Sequence, residues 1–181
     1  LGSINLSEFV VEPFTKEAIF DMEKFNACVQ DCILGLNEVL DEGLSLHPLK
    51  QQQESVSKYR QIGLGVMGIA DMLIKLNMRY GSSESIELCD KISKHMLNSA
   101  VKKSALIAKE RGAFEKYNKE ALLKSPFFIN NIDEDVKELV KKYGIRNSQI
   151  LTIPPTGSIS TMLGISGGIE PMFNVSYTRK T

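Results

Sequence analysis

The sequence predicts a helix-rich α/β fold, and three observations carry that prediction. Apolar residues recur at spacings of three and four through most of the chain, the period of an amphipathic helix. Short β-branched and aromatic runs, "GSINLSEFV" and "QILTI", lie toward the two ends. Gly, Pro and Ser separate the periodic stretches as turn signals. The 181 residues, 43% hydrophobic and 24% charged, suit one ordinary soluble domain, read as a single unit over 1–181.

Taken in order, residues 2 to 10 are expected to be extended, ending at Pro13. From Thr15 a long helix is expected, with Ala18, Ile19, Met22, Phe25, Val29, Cys32, Ile33, Leu36, Val39 and Leu40 on one stripe. Gly43 is its stop signal. A second helical stretch follows His47-Pro48, polar at first and apolar through Leu76. Ser82 or Ser83 caps a third long helix. Its stripe is Ile86, Cys89, Ile92, Met96, Ala100 and Ile107, and Gly112 closes it. Residues 113 to 130 read as irregular. Asn131 with Glu134 resembles a capped start for a short helix ending at Gly144. Residues 149 to 153 read as a strand stopped by Pro154-Pro155. "TGSISTML" turns into a helix, "ISGGIEP" is a glycine-rich turn, and "MFNVSYT" (172–178) is a further strand.

Charge and composition exclude several functions. Lys plus Arg and Asp plus Glu are both 22, without the basic excess of a nucleic-acid binder. No apolar run approaches the roughly 18 residues of a membrane span, and no signal peptide is visible. The chain starts at Leu1, not Met, so a fragment or processed product is expected. Cys28, Cys32 and Cys89 form no disulfide framework. Cys28 and Cys32 share a helix face, where geometry rarely suits a disulfide, so core packing is expected for all three. Only His47 and His95 are available as imidazole ligands, and both are isolated, so no metal site is expected.

Gly63-x-Gly65-x-x-Gly68 has the spacing of a dinucleotide fingerprint. That motif needs a strand before it, a helix after it and an acidic residue ending a second strand. The preceding "ESVSKYRQI" is polar and helix-like, and Glu84 opens a helix. The motif is therefore read as a packing device, with small residues on a helix letting two backbones approach.

"ILTIPPTGSISTMLGISGGIEP" is the informative stretch. With Thr156 as N-cap, the amides of Gly157, Ser158 and Ile159 lack intrahelical partners. They and the helix dipole favour an anion. Gly157 admits the ligand, and Thr156, Ser158 and Ser160 add hydroxyls. A Walker-type "GxxxxGK" is absent.

These residues resemble the ribonucleotide reductase large, catalytic subunit. "LGSINLSEFV", "YRQIGLGVMGIADML", "AKERGAF", "RNSQILTIPPTGSIS" and "IPPTGSISTMLGISGGIEPMF" match its pattern in order, across essentially all of the chain. The wording of "IGLGVMG" and "PTGSIS…SGGIEP" is most similar to the adenosylcobalamin-dependent class. The resemblance implies the later part of a ten-stranded α/β barrel. It implies an oxidoreductase that replaces a ribonucleotide's 2′-hydroxyl with hydrogen through a cysteine thiyl radical. It implies adenosylcobalamin as the parent's cofactor, with none bound to this piece, and a cytoplasmic setting. Pro155, Thr156, Gly157, Ser158 and Ile159 match the loop that holds the substrate phosphates, with Ser160 adjacent. The implied partners are the ribonucleotide and the remainder of the catalytic subunit.

The finger-loop motif Asn-x-Cys-x-Glu, the redox cysteine before "LGSINL" and the C-terminal cysteine pair are not in this sequence. No catalytic residue is assigned, and the piece alone is expected to be inactive. Strands near 2–10, 149–153 and 172–178 are expected to lack barrel partners and to promote self-association. Two other readings stand beside this one: a non-catalytic phosphate- or nucleotide-binding module, and a helical interaction scaffold.

Overall fold

The computed structural model describes residues 1–174 and Ser176. They divide into two compact units. The first comprises Leu1–Gly2, Met22–Leu64 and Cys89–Thr152; the second comprises Ser3–Asp21, Gly65–Leu88 and the chain from Ile153 onward. The fold is helix-rich α/β, as the sequence predicts. Among the described residues no helix is long and apolar enough to cross a membrane.

In the first unit, α1 (Met22–Gly43) presents Phe25, Val29 and Ile33, all wholly buried. After α2 (Lys50–Tyr59) the chain turns through Arg60 in a left-handed conformation. The long helix α4 (Ser83–Arg111) starts among second-unit residues, where Ser82 Oγ accepts the amide of Ser85, and belongs to the first unit from Cys89 onward. Its Ile92, Met96, Ala100 and Ile107 are buried as expected. Val101 and Ala105 join Phe128 of α6 (Pro126–Asn131) and Val136 and Val140 of α7 (Glu134–Tyr143) in one apolar cluster. Each large side chain buried there contributes about 1.5–3 kcal/mol before the entropy of ordering it is counted.

A polar knot sits inside this unit. Asn147 donates to Asn37 Oδ1 and to the carbonyl of Arg60, both at 2.9 Å. Its own Oδ1 accepts from Ser104 Oγ at 3.0 Å and Asn37 Nδ2 at 3.2 Å. All three side chains are wholly buried. Arg60 Nη2 lies 2.6 Å from Asp41 Oδ1, an ion pair anchored on one buried side.

In the second unit, a hairpin pairs β2 (Val10–Val11) antiparallel with β3 (Ile19–Phe20). The Phe9 and Phe20 ring centroids lie 5.9 Å apart with the rings tilted at 43°. One 3-10 turn, Leu6–Phe9, packs on α3 (Ile69–Lys75), and Lys75 Nζ donates to the Ser7 carbonyl at 2.9 Å.

β1 (Gly2–Asn5) pairs with β4 (Leu64–Met67), and Leu64 also bridges Leu151 in parallel. β4 is buried at every position. Gly63 precedes it because a Cβ there would lie 2.5 Å from Leu1 Cδ2 and 2.8 Å from Thr152 Cγ2.

Several expectations are corrected. Residues 62–68 are not helical: a strand buried on both faces reads as a continuous apolar run, which periodicity alone does not separate from a helix. At Gly63 the close neighbours are the side chains of Leu1 and Thr152 against a strand end, not a second helix backbone. Helix α1 begins at Met22, not Thr15, because Thr15 Oγ1 donates to Glu12 O and accepts from Glu17 N, closing a turn into β3. Ile86 is 62% exposed and lies off the buried stripe. Residues 113–130 contain α5 (Lys119–Leu123), capped by Asn118, and the start of α6. Asp133, not Asn131, precedes α7, and Asn131 Nδ2 donates to Phe127 O. Residues 149–153 form one bridge rather than a strand. Met172–Asn174 are not strand, and the rest of the 172–178 expectation falls largely outside the described residues.

Candidate functional site

The stretch from Ile153 to Glu170 lies within the second unit. Pro154-Pro155 cannot donate ladder hydrogen bonds, so the extended chain ends there. Helix α8 (Gly157–Leu163) follows, with Thr156 as N-cap. Thr156 takes a left-handed conformation, φ +53°, and makes no side-chain cap of its own helix. Its Oγ1 instead accepts the amide of Gly168 at 2.8 Å. The first helical bond runs from Ser160 N to Thr156 O, at 2.9 Å.

This leaves the amides of Gly157, Ser158 and Ile159 without a hydrogen-bond partner among the described residues. All three residues are exposed. A Cβ at Gly157 would meet nothing within 4 Å. The start of α8 is therefore open to solvent where its three first-turn amides are free, an arrangement that favours an anion.

The predicted residues do not all share that role. Ser158 is exposed. Ser160 is buried, and its Oγ donates to Thr156 O at 2.7 Å. It braces the turn instead of facing the opening, which corrects its expected place among the donors. Pro155 sets the wall: its carbonyl would lie 2.8 Å from a Cβ at Gly167. Ile153 to Gly168 contains no titratable side chain, and Glu170 is the first to follow.

The two glycine motifs meet, which sequence reasoning missed. Gly68 is the N-cap of α3, with φ +71°, and has no side chain to cap it. Ser166 supplies the missing group: its Oγ accepts the amide of Ala70 at 3.3 Å, and its carbonyl accepts Gly68 N at 2.9 Å. Asp71 Oδ2 accepts both Ser166 N and Ser166 Oγ, each at 2.7 Å. A Cβ on Gly68 would collide with Asn5 Oδ1. The Gly68 and Ala70 amides are thus taken by Ser166, and the strand of this motif lies between Gly63 and Gly68 instead of before the first glycine, so the dinucleotide pattern is not met. The available signal was an acid at the third position of a helix whose cap is glycine.

The remaining candidates are structural. Cys28 and Cys32 Sγ lie 4.0 Å apart on α1, as free thiols. Burial, then the neighbouring Cys28, push Cys32 up to about 11. Burial also raises Cys89. His95 Nδ1 is 3.2 Å from Asn26 Nδ2. Among the described residues no three His, Cys, Asp or Glu side chains group to hold a metal.

Comparison with known proteins supplies the family context for this geometry. The family described as "Ribonucleotide reductase, barrel domain" matches residues 1–181. The ribonucleoside-diphosphate reductase subunit alpha of Chlamydia pneumoniae is 34% identical over 200 residues, covering 99% of this chain and 18% of that protein. A vitamin B12-dependent ribonucleoside-diphosphate reductase of Thermoplasma acidophilum is 36% identical over 179 residues, covering 99% of this chain and 20% of that protein. A large subunit from Monkeypox virus is 28% identical over 186 residues, covering 97% and 24%. The chain spans about a fifth of the length of the curated relatives it matches.

Proposed function

The chain belongs to the ribonucleotide reductase barrel-domain family, and on that premise we propose that it supplies the substrate-phosphate cradle of a ribonucleotide reductase catalytic subunit. One observation carries the reading: the free, solvent-facing amides of Gly157, Ser158 and Ile159 at the start of α8. Neutral donors held in place by Pro155 and Thr156 suit the terminal phosphates of a ribonucleotide. The parent's reaction replaces the ribose 2′-hydroxyl with hydrogen, started by a cysteine thiyl radical. This stretch positions the substrate tail for it and contributes no acid, base or radical of its own. Cys28, Cys32 and Cys89 lie in α1 and α4, in contexts unlike the radical or redox motifs. The stretch by itself therefore reduces no ribonucleotide.

The parent's radical cofactor is proposed to be adenosylcobalamin, on the wording of "IGLGVMG" and the likeness to the Thermoplasma protein named as vitamin B12-dependent. Relatives named as alpha subunits show comparable identity. The described residues do not fit a corrin. His95 is exposed beside Asn26, and the groove of about 450 Å³ edged by Asp41, Glu54 and Glu115 is open and acidic. No step here runs through that group. A cytoplasmic setting and self-association through strand edges of the isolated stretch belong to the same proposal.

The test is substitution of Gly157 by alanine in the full-length catalytic subunit, read as affinity for a ribonucleoside diphosphate against affinity for the matching ribonucleoside. Selective loss for the diphosphate supports the cradle. An unchanged diphosphate affinity overturns it.

A further inference from the structure

We propose that Asp71 is a positioning residue for the phosphate loop, acting through Ser166. This inference rests on the cradle reading above and names what holds the cradle in shape.

The connection is short and continuous. Asp71 lies in α3, between Ala70 and Met72, which are 3% and 0% exposed. Its carboxylate therefore projects from a helix fixed by its own packing. Oδ2 accepts two donors from one residue, Ser166 N and Oγ, at 2.7 Å each. Hydrogen bonds to an ionised acceptor are the shorter and stronger kind. Ser166 is 8% exposed and also caps the α3 amides, so it is held from two directions. Two residues on, the Gly168 amide donates to Thr156 Oγ1 at 2.8 Å. Gly167 and Gly168 pass so close to the carbonyls of Pro155 and Pro154 that side chains there would lie 2.8 and 3.2 Å from them.

Thr156 needs such a restraint. A threonine at φ +53° is in a region that β-branched residues avoid. Such a conformation persists when its surroundings over-determine it. The bond from Gly168 is one such restraint, and Asp71 holds the turn that carries Gly168. When Thr156 relaxes, the free amides of Gly157, Ser158 and Ile159 lose their placement. Asp71 thus sets phosphate affinity without touching the phosphate.

The experiment uses the full-length catalytic subunit with Asp71→Ala, Asp71→Asn and Gly157→Ala. Asparagine keeps an oxygen that accepts both Ser166 donors, so it is the conservative rescue. Asp71→Ala is expected to raise KM for a ribonucleoside diphosphate about 10-fold or more, the equivalent of one lost charge-assisted bond. Affinity for the matching ribonucleoside stays within about 2-fold, and Asp71→Asn recovers most of the loss. Ser166→Ala, which removes the hydroxyl bonds and keeps the backbone one, gives the same split if Asp71→Ala does not fold. Equal losses for nucleotide and nucleoside, or no rescue by asparagine, overturn the positioning role. If Gly157→Ala weakens the diphosphate while the Asp71 and Ser166 variants do not, the cradle stands and this inference falls. If Gly157→Ala has no effect, the cradle reading itself has failed.

Discussion

Replacing Gly157 with alanine moves two quantities in opposite directions, which makes it the sharpest test of the cradle. On the stability side, Gly157 has ordinary helical freedom, unlike the left-handed glycines of the chain, and its added Cβ meets nothing within 4 Å. Alanine then narrows the unfolded ensemble at no steric cost, worth about 0.4–1 kcal/mol in favour of folding. On the binding side, a helical Cβ tilts toward the N-terminus of its helix, here toward the opening of the cradle. The methyl group displaces the anion from one or two amides, each charge-assisted bond being worth about 1.5–3 kcal/mol. Affinity for the diphosphate falls by about 10- to 100-fold. Thermal unfolding of the full-length subunit reads the first effect, and titration calorimetry with a ribonucleoside diphosphate reads the second. Gly167→Ala is the contrasting control: its Cβ lies 2.8 Å from the Pro155 carbonyl, so it lowers stability as well as affinity. A Gly157→Ala protein that melts lower, or binds the diphosphate as tightly as before, refutes the reasoning.

Three further outcomes are expected. Asn147→Ala takes the donor from Asn37 Oδ1 and from the Arg60 carbonyl and the acceptor from the Ser104 hydroxyl, and lowers stability on the order of 2–4 kcal/mol in denaturant unfolding; a loss below about 1 kcal/mol contradicts the knot's role. Cys32, raised to about 11 by burial and by Cys28, favours the protonated thiol in the fold. Its contribution is complete below the ordinary thiol pKa of about 9 and fades as pH climbs toward about 11. Cys32→Ala should flatten that alkaline limb of the stability curve, and an unchanged limb assigns it elsewhere. The isolated stretch should associate with itself at high concentration in light scattering, since β1 and residues 149–152 flank β4 and leave outer edges. A strictly monomeric result removes that proposal.

The sequence made some of this legible for identifiable reasons. Pro154-Pro155 followed by Thr-Gly-Ser marks a strand stop and a helix start, and α8 begins where that chemistry places it. Gly112 and Gly144 end α4 and α7 because each adopts a positive φ that other residues resist. β4 was hidden because burial on both faces erases the alternation that marks a strand. The hairpin was hidden because Ile19 happens to fall in step with the helical stripe that follows it. The Asp71–Ser166 contact spans 95 positions, and no local pattern announces a serine that caps a helix so far away. Ser160 misled for a related reason: a hydroxyl beside an open cradle looks available until its bond back to Thr156 is seen.

The Asn37–Asn147 pair has a consequence for how the molecule is made. Its members stand 110 positions apart, so a growing polypeptide leaves the ribosome with α1 complete long before its polar counterpart exists. During that interval Asn37 must be hydrated, and α1 cannot settle permanently into its final surroundings. Late closure of this kind belongs to slow, long-range assembly.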